Sequence, residues 1–81
     1  MSKSVRIRYF AAFRDAAGVA EERVETTAET LEQLFEERVA AHAGLRAEVQ
    51  AKVAVNDALV AWSDGFSDDD EVLFFPPVAG G

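Results

Sequence analysis

The chain has 81 residues, no cysteine and a formal charge of −7, from fifteen acidic and eight basic side chains. That length sets the scale at one domain with a modest core, and the missing thiols exclude disulfides, thiolate metal sites and a cysteine nucleophile. The negative balance argues against binding to nucleic acid or to an anionic membrane, and is compatible with a partner whose docking surface is basic.

In chain order, Lys3 to Phe10 alternates: Val5, Ile7 and Tyr9 share one face, and Arg6, Arg8 and Phe10 the other. This is the period of a strand. Ala11 to Gly18 is alanine-rich and closes on glycine, which predicts a helical turn with a glycine stop. Glu21 to Glu25, centred on Val24, predicts an exposed edge strand folding back on the first. A helix follows, capped at Thr26 or Thr27. Both Thr26-x-x-Glu29 and Thr30-x-x-Gln33 fit a capping box. Leu31, Leu34, Phe35 and Val39 form its apolar stripe, and Gly44 is expected to close it. Leu45 to Gln50 reads as a short helical segment.

Lys52 to Val55 predicts a third strand, Asn56-Asp57 a turn, and Leu59 to Trp62 a fourth strand. Ser63-Asp64-Gly65 and Ser67 to Asp70 are turn and loop. Glu71 to Phe75 is the most hydrophobic strand, stopped by Pro76-Pro77. One helix crossing one mixed sheet is the economical way to bury a single apolar stripe. The fold class is therefore α+β: a β-grasp domain over residues 1–75, with a mixed five-stranded sheet crossed by one main helix, and a flexible extended tail over residues 76–81. No apolar run resembles a signal peptide or a membrane span, so a cytoplasmic protein is expected.

Conventional catalytic signatures are missing. His42, the only histidine, reads as a solvent-exposed residue near the helix end, favoured there by the helix dipole. Asp68-Asp69-Asp70-Glu71 lacks the alternating spacing and distal glutamate of a calcium loop and reads as a solvated turn. No metal site is expected. The C-terminal run FFPPVAGG carries no charge. Pro76 and Pro77 keep it extended, and beyond Val78 and Ala79 the side-chain-free Gly80 and Gly81 let the end thread a narrow channel with an accessible carboxylate. A bare carboxylate is inert as an acyl donor, so a partner must activate it. Strand parity adds a contact patch. If Val5, Ile7, Tyr9, Val72, Phe74, Val60 and Trp62 face the core, then Phe10, Leu59 and Phe75 do not.

Those residues also carry a resemblance. The stretch from Val53-Ala54-Val55-Asn56 to Gly81, ending in FFPPVAGG, the opening Val5-Arg6-Ile7-Arg8-Tyr9-Phe10-Ala11 and Phe13-Arg14-x-x-x-Gly18 together resemble the MoaD/ThiS family of ubiquitin-like sulfur carriers, in particular the small subunit of molybdopterin synthase. The resemblance covers essentially the whole chain. It implies that Gly81 is adenylated by an E1-like activating enzyme using ATP and converted to a thiocarboxylate by a sulfurtransferase. The tail, Pro76 to Gly80, then inserts into the large subunit of a heterotetramer. There it gives sulfur to cyclic pyranopterin monophosphate, on the way to the molybdenum or tungsten cofactor. The chain itself binds no cofactor and supplies no catalytic side chain, and positions corresponding to Phe10, Leu59 and Phe75 meet both partners. The alternatives are a ubiquitin-like modifier joined through Gly81 to lysines, or a sulfur carrier of another pathway such as thiamine biosynthesis.

Overall fold

The computed structural model describes residues 2–42, 44, 45 and 51–76. Its elements are β1 (Lys3–Tyr9), α1 (Ala12–Ala17), β2 (Glu21–Thr26), α2 (Leu31–Ala41), β3 (Lys52–Val55), β4 (Ala58–Val60) and β5 (Glu71–Phe75). The strands form one sheet in the order β2-β1-β5-β3-β4. The β1–β5 pair is parallel, and the other three pairs are antiparallel. Parallel pairing of the first and last strands needs a long crossover, which α2 and the connections around it supply. The expected mixed sheet is therefore present, with β2 on an edge as its charged, alternating sequence predicts.

Alternation in β1 places Val5, Ile7 and Tyr9 in the core, and alternation in β5 adds Val72 and Phe74. Leu31, Leu34 and Phe35 of α2 close over them, with Val39 packed at the margin. Phe74 is the hub. Its ring centroid lies 4.8 Å from that of Phe35, 5.8 Å from that of Trp62 and 6.3 Å from that of Tyr9. Aromatic pairs at such separations add attraction beyond the area they bury.

Three boundaries depart from the sequence expectation. The helix starts at Leu31 with Thr30 as its cap, its side chain accepting from the Gln33 N–H, while the Gln33 side chain accepts from the Glu29 N–H at 2.8 Å. Thr26 caps nothing. Its hydroxyl accepts from the Ala28 N–H and donates to Glu37, tying the end of β2 to α2. The N–H groups of Leu31 and Glu32 donate to the carbonyls of Asp64 and Trp62, so a distant turn satisfies the first helical donors. That same turn shortens β4: Ala61 N–H bonds the Asp64 carboxylate, Asp64 N–H bonds the Ala61 carbonyl, and the strand ends at Val60.

At the other end α2 stops at Ala41, with His42 in an extended conformation, before Gly44 is reached. Gly44 is needed for a close approach instead. A Cβ there would sit 2.9 Å from the Ala16 carbonyl oxygen of α1. Gly18, by contrast, stops α1 as expected, in the left-handed region at φ 80°. The predicted helical segment at Leu45 to Gln50 falls mostly outside the described residues; Leu45 itself is in the core.

Asn56 and Asp57 both have positive φ, the signature of a tight two-residue hairpin between β3 and β4. The acidic run entering β5 is structural. Asp68 accepts from Ser4 N–H, and Asp70 accepts from Ser67 N–H and from the Asn56 side chain. These carboxylates lock the loop to β1 and to the β3–β4 turn.

Candidate functional site

The face of the sheet opposite α2 is where sequence parity places a contact patch, and the register shows what lies on it. Arg8 stands beside Leu73, Leu73 beside Ala54, and Ala54 beside Leu59. This row crosses β1, β5, β3 and β4, and side chains directly opposite one another share a face. One step toward the C-terminal end of β5, Phe75 stands opposite Lys52. Phe10 follows β1, its N–H bonded to the Phe74 carbonyl. Phe10 and Leu59 are 60% and 69% exposed, large values for apolar side chains, while Phe75 and Leu73 are half-buried.

The three expected patch residues therefore do lie outside the core, on or at the rim of one face. Phe10 and Phe75 each follow directly on the paired Tyr9 and Phe74, whereas Leu59 sits on the far edge strand. The residues that join them, Leu73 and Ala54, were not singled out from sequence. The parity that turns Phe75 outward also turns Leu73 outward and was sufficient to find it. Ala54 required the strand order.

The other end of the same face is ionic. Arg6 pairs with Glu21 at 3.6 Å and Glu71 at 3.4 Å, Arg8 with Glu71 at 3.6 Å, and Arg23 with Asp69 at 3.3 Å. Each such exposed pair contributes about 0–1 kcal/mol. Their effect is mainly to mark off the apolar half, which adjoins the C-terminal end of β5. Between the halves, Arg8, Phe10, Arg14, Glu21 and Leu73 line an open depression of about 320 Å³.

Beyond Phe75, Pro76 is the last described residue and is half-buried. The remaining tail positions, Pro77, Val78, Ala79, Gly80 and Gly81, lie outside the described residues. What the structure does place is their root: the tail leaves from a central strand, at the apolar end of the outer face.

The titratable groups with displaced equilibria lie on the inner side. The Glu22 carboxylate accepts from the Tyr9 hydroxyl at 2.6 Å, lies 2.7 Å from His42 Nε2 and 3.7 Å from Arg38 Nη1. A carboxylate only accepts, so Nε2 carries the proton in this contact. Burial pushes the Tyr9 phenol far above its usual range, and the bond to Glu22 pushes it further. Burial also pushes Glu22 up, but the hydrogen bonds from Tyr9 and His42 and the charges of His42 and Arg38 outweigh it, and its carboxyl is held below 4.5. His42 is thus not the exposed helix-end residue expected. Its side chain is only 20% exposed and meets Tyr9 edge-on at 5.8 Å. Its role is to join α2 to β2. On the outer face the material is apolar side chains, arginines, a lysine and paired carboxylates, a composition for holding a partner.

With this geometry in place, similarity to known proteins becomes informative. The chain is 33% identical to the molybdopterin synthase sulfur carrier subunit of Escherichia coli (strain K12), over 95% of this chain and 99% of that protein. Among solved structures it is similar to a putative molybdopterin converting factor, subunit 1, from Pyrococcus furiosus, with a TM-score of 0.81, 35% identity, and coverage of 94% of this chain and 99% of that one. SAMP1 from Haloferax volcanii matches with a TM-score of 0.81 at 26% identity, over 96% and 99% of the two chains. A complex of subunits 1 and 2 of the molybdopterin-converting factor from Helicobacter pylori 26695 matches with a TM-score of 0.61 at 26% identity, again over 96% and 99%. No helix among the described residues is long and apolar enough to cross a membrane. A family model matches residues 7–81, and on that match the chain belongs to the ThiS family, the MoaD/ThiS sulfur carriers with a ubiquitin-like β-grasp fold.

Proposed function

We propose that the chain is the sulfur-carrier subunit of a cytoplasmic molybdopterin synthase, with Gly81 as its working residue. The observation that carries this reading is the apolar half-face of Phe10, Leu73, Leu59 and Phe75, floored by the buried Ala54, at the root of the Gly-Gly tail. The full-length relative from Escherichia coli points the same way. An E1-like enzyme joins the Gly81 carboxylate to the α-phosphate of ATP and releases pyrophosphate. A sulfurtransferase then supplies sulfur at the sulfide level, which attacks the acyl carbon and displaces AMP. The resulting thiocarboxylate forms a carbon–sulfur bond to cyclic pyranopterin monophosphate in the large subunit, water then cleaves the acyl–sulfur bond, and the regenerated carboxylate returns for a second round of activation. This chain's part is to dock, through the outer face, and to present a narrow end.

Intact-mass measurement of the protein isolated from its own host tests this. The expected result is a species heavier by the difference between one sulfur and one oxygen, located at the C-terminus, and stimulation of molybdopterin formation when that species is mixed with the large subunit. The likeness to SAMP1 favours a second reading, a modifier joined through Gly81 to lysines. A ladder of conjugates in denatured lysate with no thiocarboxylate would replace the first reading with the second.

A further inference from the structure

The net charge of −7 points to a basic partner surface, yet the docking face has the opposite local character. Its cations fall into two groups. Arg6, Arg8 and Arg23 are neutralised by Glu21, Glu71 and Asp69. Arg14 and Lys52 are both exposed and make no ion pair or side-chain hydrogen bond among the described residues. These two flank the apolar half-face. Arg14 lines the depression of about 320 Å³ shared with Phe10 and Leu73, and Lys52 stands directly opposite Phe75.

We infer that Arg14 and Lys52 are specificity cations of the docking face, and that the protein partner seated there presents an apolar pocket flanked by carboxylates. The inference rests on the docking role proposed for this face. Two physical arguments select that occupant. A polyanion such as nucleic acid or an anionic bilayer meets the whole −7 field within about 10 Å and is repelled, whereas discrete carboxylates set between the acidic regions meet only the nearby cations. A second copy approaching through the same face in a two-fold arrangement sets identical surfaces against each other, and the carboxylates it brings, Glu21 and Glu71, are already paired with Arg6 and Arg8. Rim charges of this kind act mainly on the association rate and on the choice of partner.

The test uses the full chain with the large subunit and with the activating enzyme from the same host, titrated at low and high salt. Arg14→Gln and Lys52→Gln, singly and together, are compared with Phe75→Asp and with Arg23→Gln, which makes the same change in net charge away from the apolar half. Each rim variant is expected to weaken binding to at least one partner by roughly two- to fivefold, mostly in the on-rate. The double variant should lose most of the wild-type salt dependence, while Arg23→Gln stays within twofold of wild type. Melting temperatures near wild type for all variants exclude unfolding as the cause. The inference is overturned if the double variant binds both partners as well as wild type or better, or if Arg23→Gln weakens binding equally, since then only net charge matters. It is also overturned if wild type binds phosphatidylserine vesicles or self-associates and the double variant does not. Failure of the docking reading is separate: Phe75→Asp would then bind both partners normally.

Discussion

Removing the Glu22 carboxylate should cost more stability than any surface change in this chain. One oxygen, Oε2, accepts from the Tyr9 hydroxyl at 2.6 Å, stands 2.7 Å from His42 Nε2, and is 3.7 Å from the Arg38 guanidinium. Glu22→Leu removes all three partners at once. It leaves Arg38, whose side chain is only 15% exposed and whose Nε already lacks a hydrogen-bond partner among the described residues, as a largely buried cation facing hydrocarbon. A hydrogen bond to a charged group contributes about 1.5–3 kcal/mol. Breaking one partner of a fully buried ion pair costs about 3–5 kcal/mol. Residual solvent at Glu22, whose side chain is 24% exposed, lowers the total, and about 2–4 kcal/mol is expected, roughly 10–25 °C in melting temperature for a domain of this size. Glu22→Gln keeps an acceptor and should fall between Glu22→Leu and wild type. The pH dependence has a definite sign. Because the folded Glu22 carboxyl is held below 4.5, its contribution is fully present above the unfolded value and is lost as pH falls through the folded one. Thermal melts of both proteins from neutral to acid pH should therefore show a gap that is constant near neutrality and closes in acid. Equal melting temperatures at pH 7, or a gap that ignores acid, would refute the account of the cluster.

Three further outcomes are expected. Gly44→Ala forces a Cβ to 2.9 Å from the Ala16 carbonyl oxygen, and should cost about 1–3 kcal/mol in denaturant titration without altering partner affinity. Phe75→Asp and Phe10→Asp should each weaken large-subunit binding by about 2 kcal/mol or more, with melting temperatures close to wild type. An unfolded Phe75→Asp would show that its half-buried ring serves the core instead. Appending one residue to Gly81 moves the carboxyl carbon by about 3.3 Å and should abolish molybdopterin formation in a reconstituted reaction while leaving the melt unchanged. Synthesis at the wild-type rate, with no trimming of the added residue, would remove the terminal carboxylate from the mechanism.

Much of the framework is legible without coordinates because its signals are short-range. Alternation over Lys3 to Phe10 is a property of neighbouring residues. It already assigns Val5, Ile7 and Tyr9 to the core and Phe10 to the outside, and the structure agrees. The Asn56-Asp57 turn and the Gly18 stop are written the same way, since positive φ is a local demand that few residues meet. What sequence leaves undecided is whatever depends on partners far along the chain. Two threonines offered equivalent caps for α2, and Thr30 prevails because Thr26 is held by Glu37 and because the turn at Trp62 to Asp64 supplies acceptors where the helix begins. His42 looks solvent-facing from its neighbours and becomes largely enclosed only because β2 brings Glu22 beneath it. The outer patch shows the same division. Parity names Phe10, Leu59 and Phe75 one by one, but only the parallel pairing of β1 with β5 and the antiparallel pairings of β5 with β3 and of β3 with β4 join them through Leu73 and Ala54 and set Lys52 beside Phe75. Local periodicity tells a side chain which way to face. Which other chain segment it faces is decided by closing loops of tens of residues around one shared core, and that is a property of the whole fold.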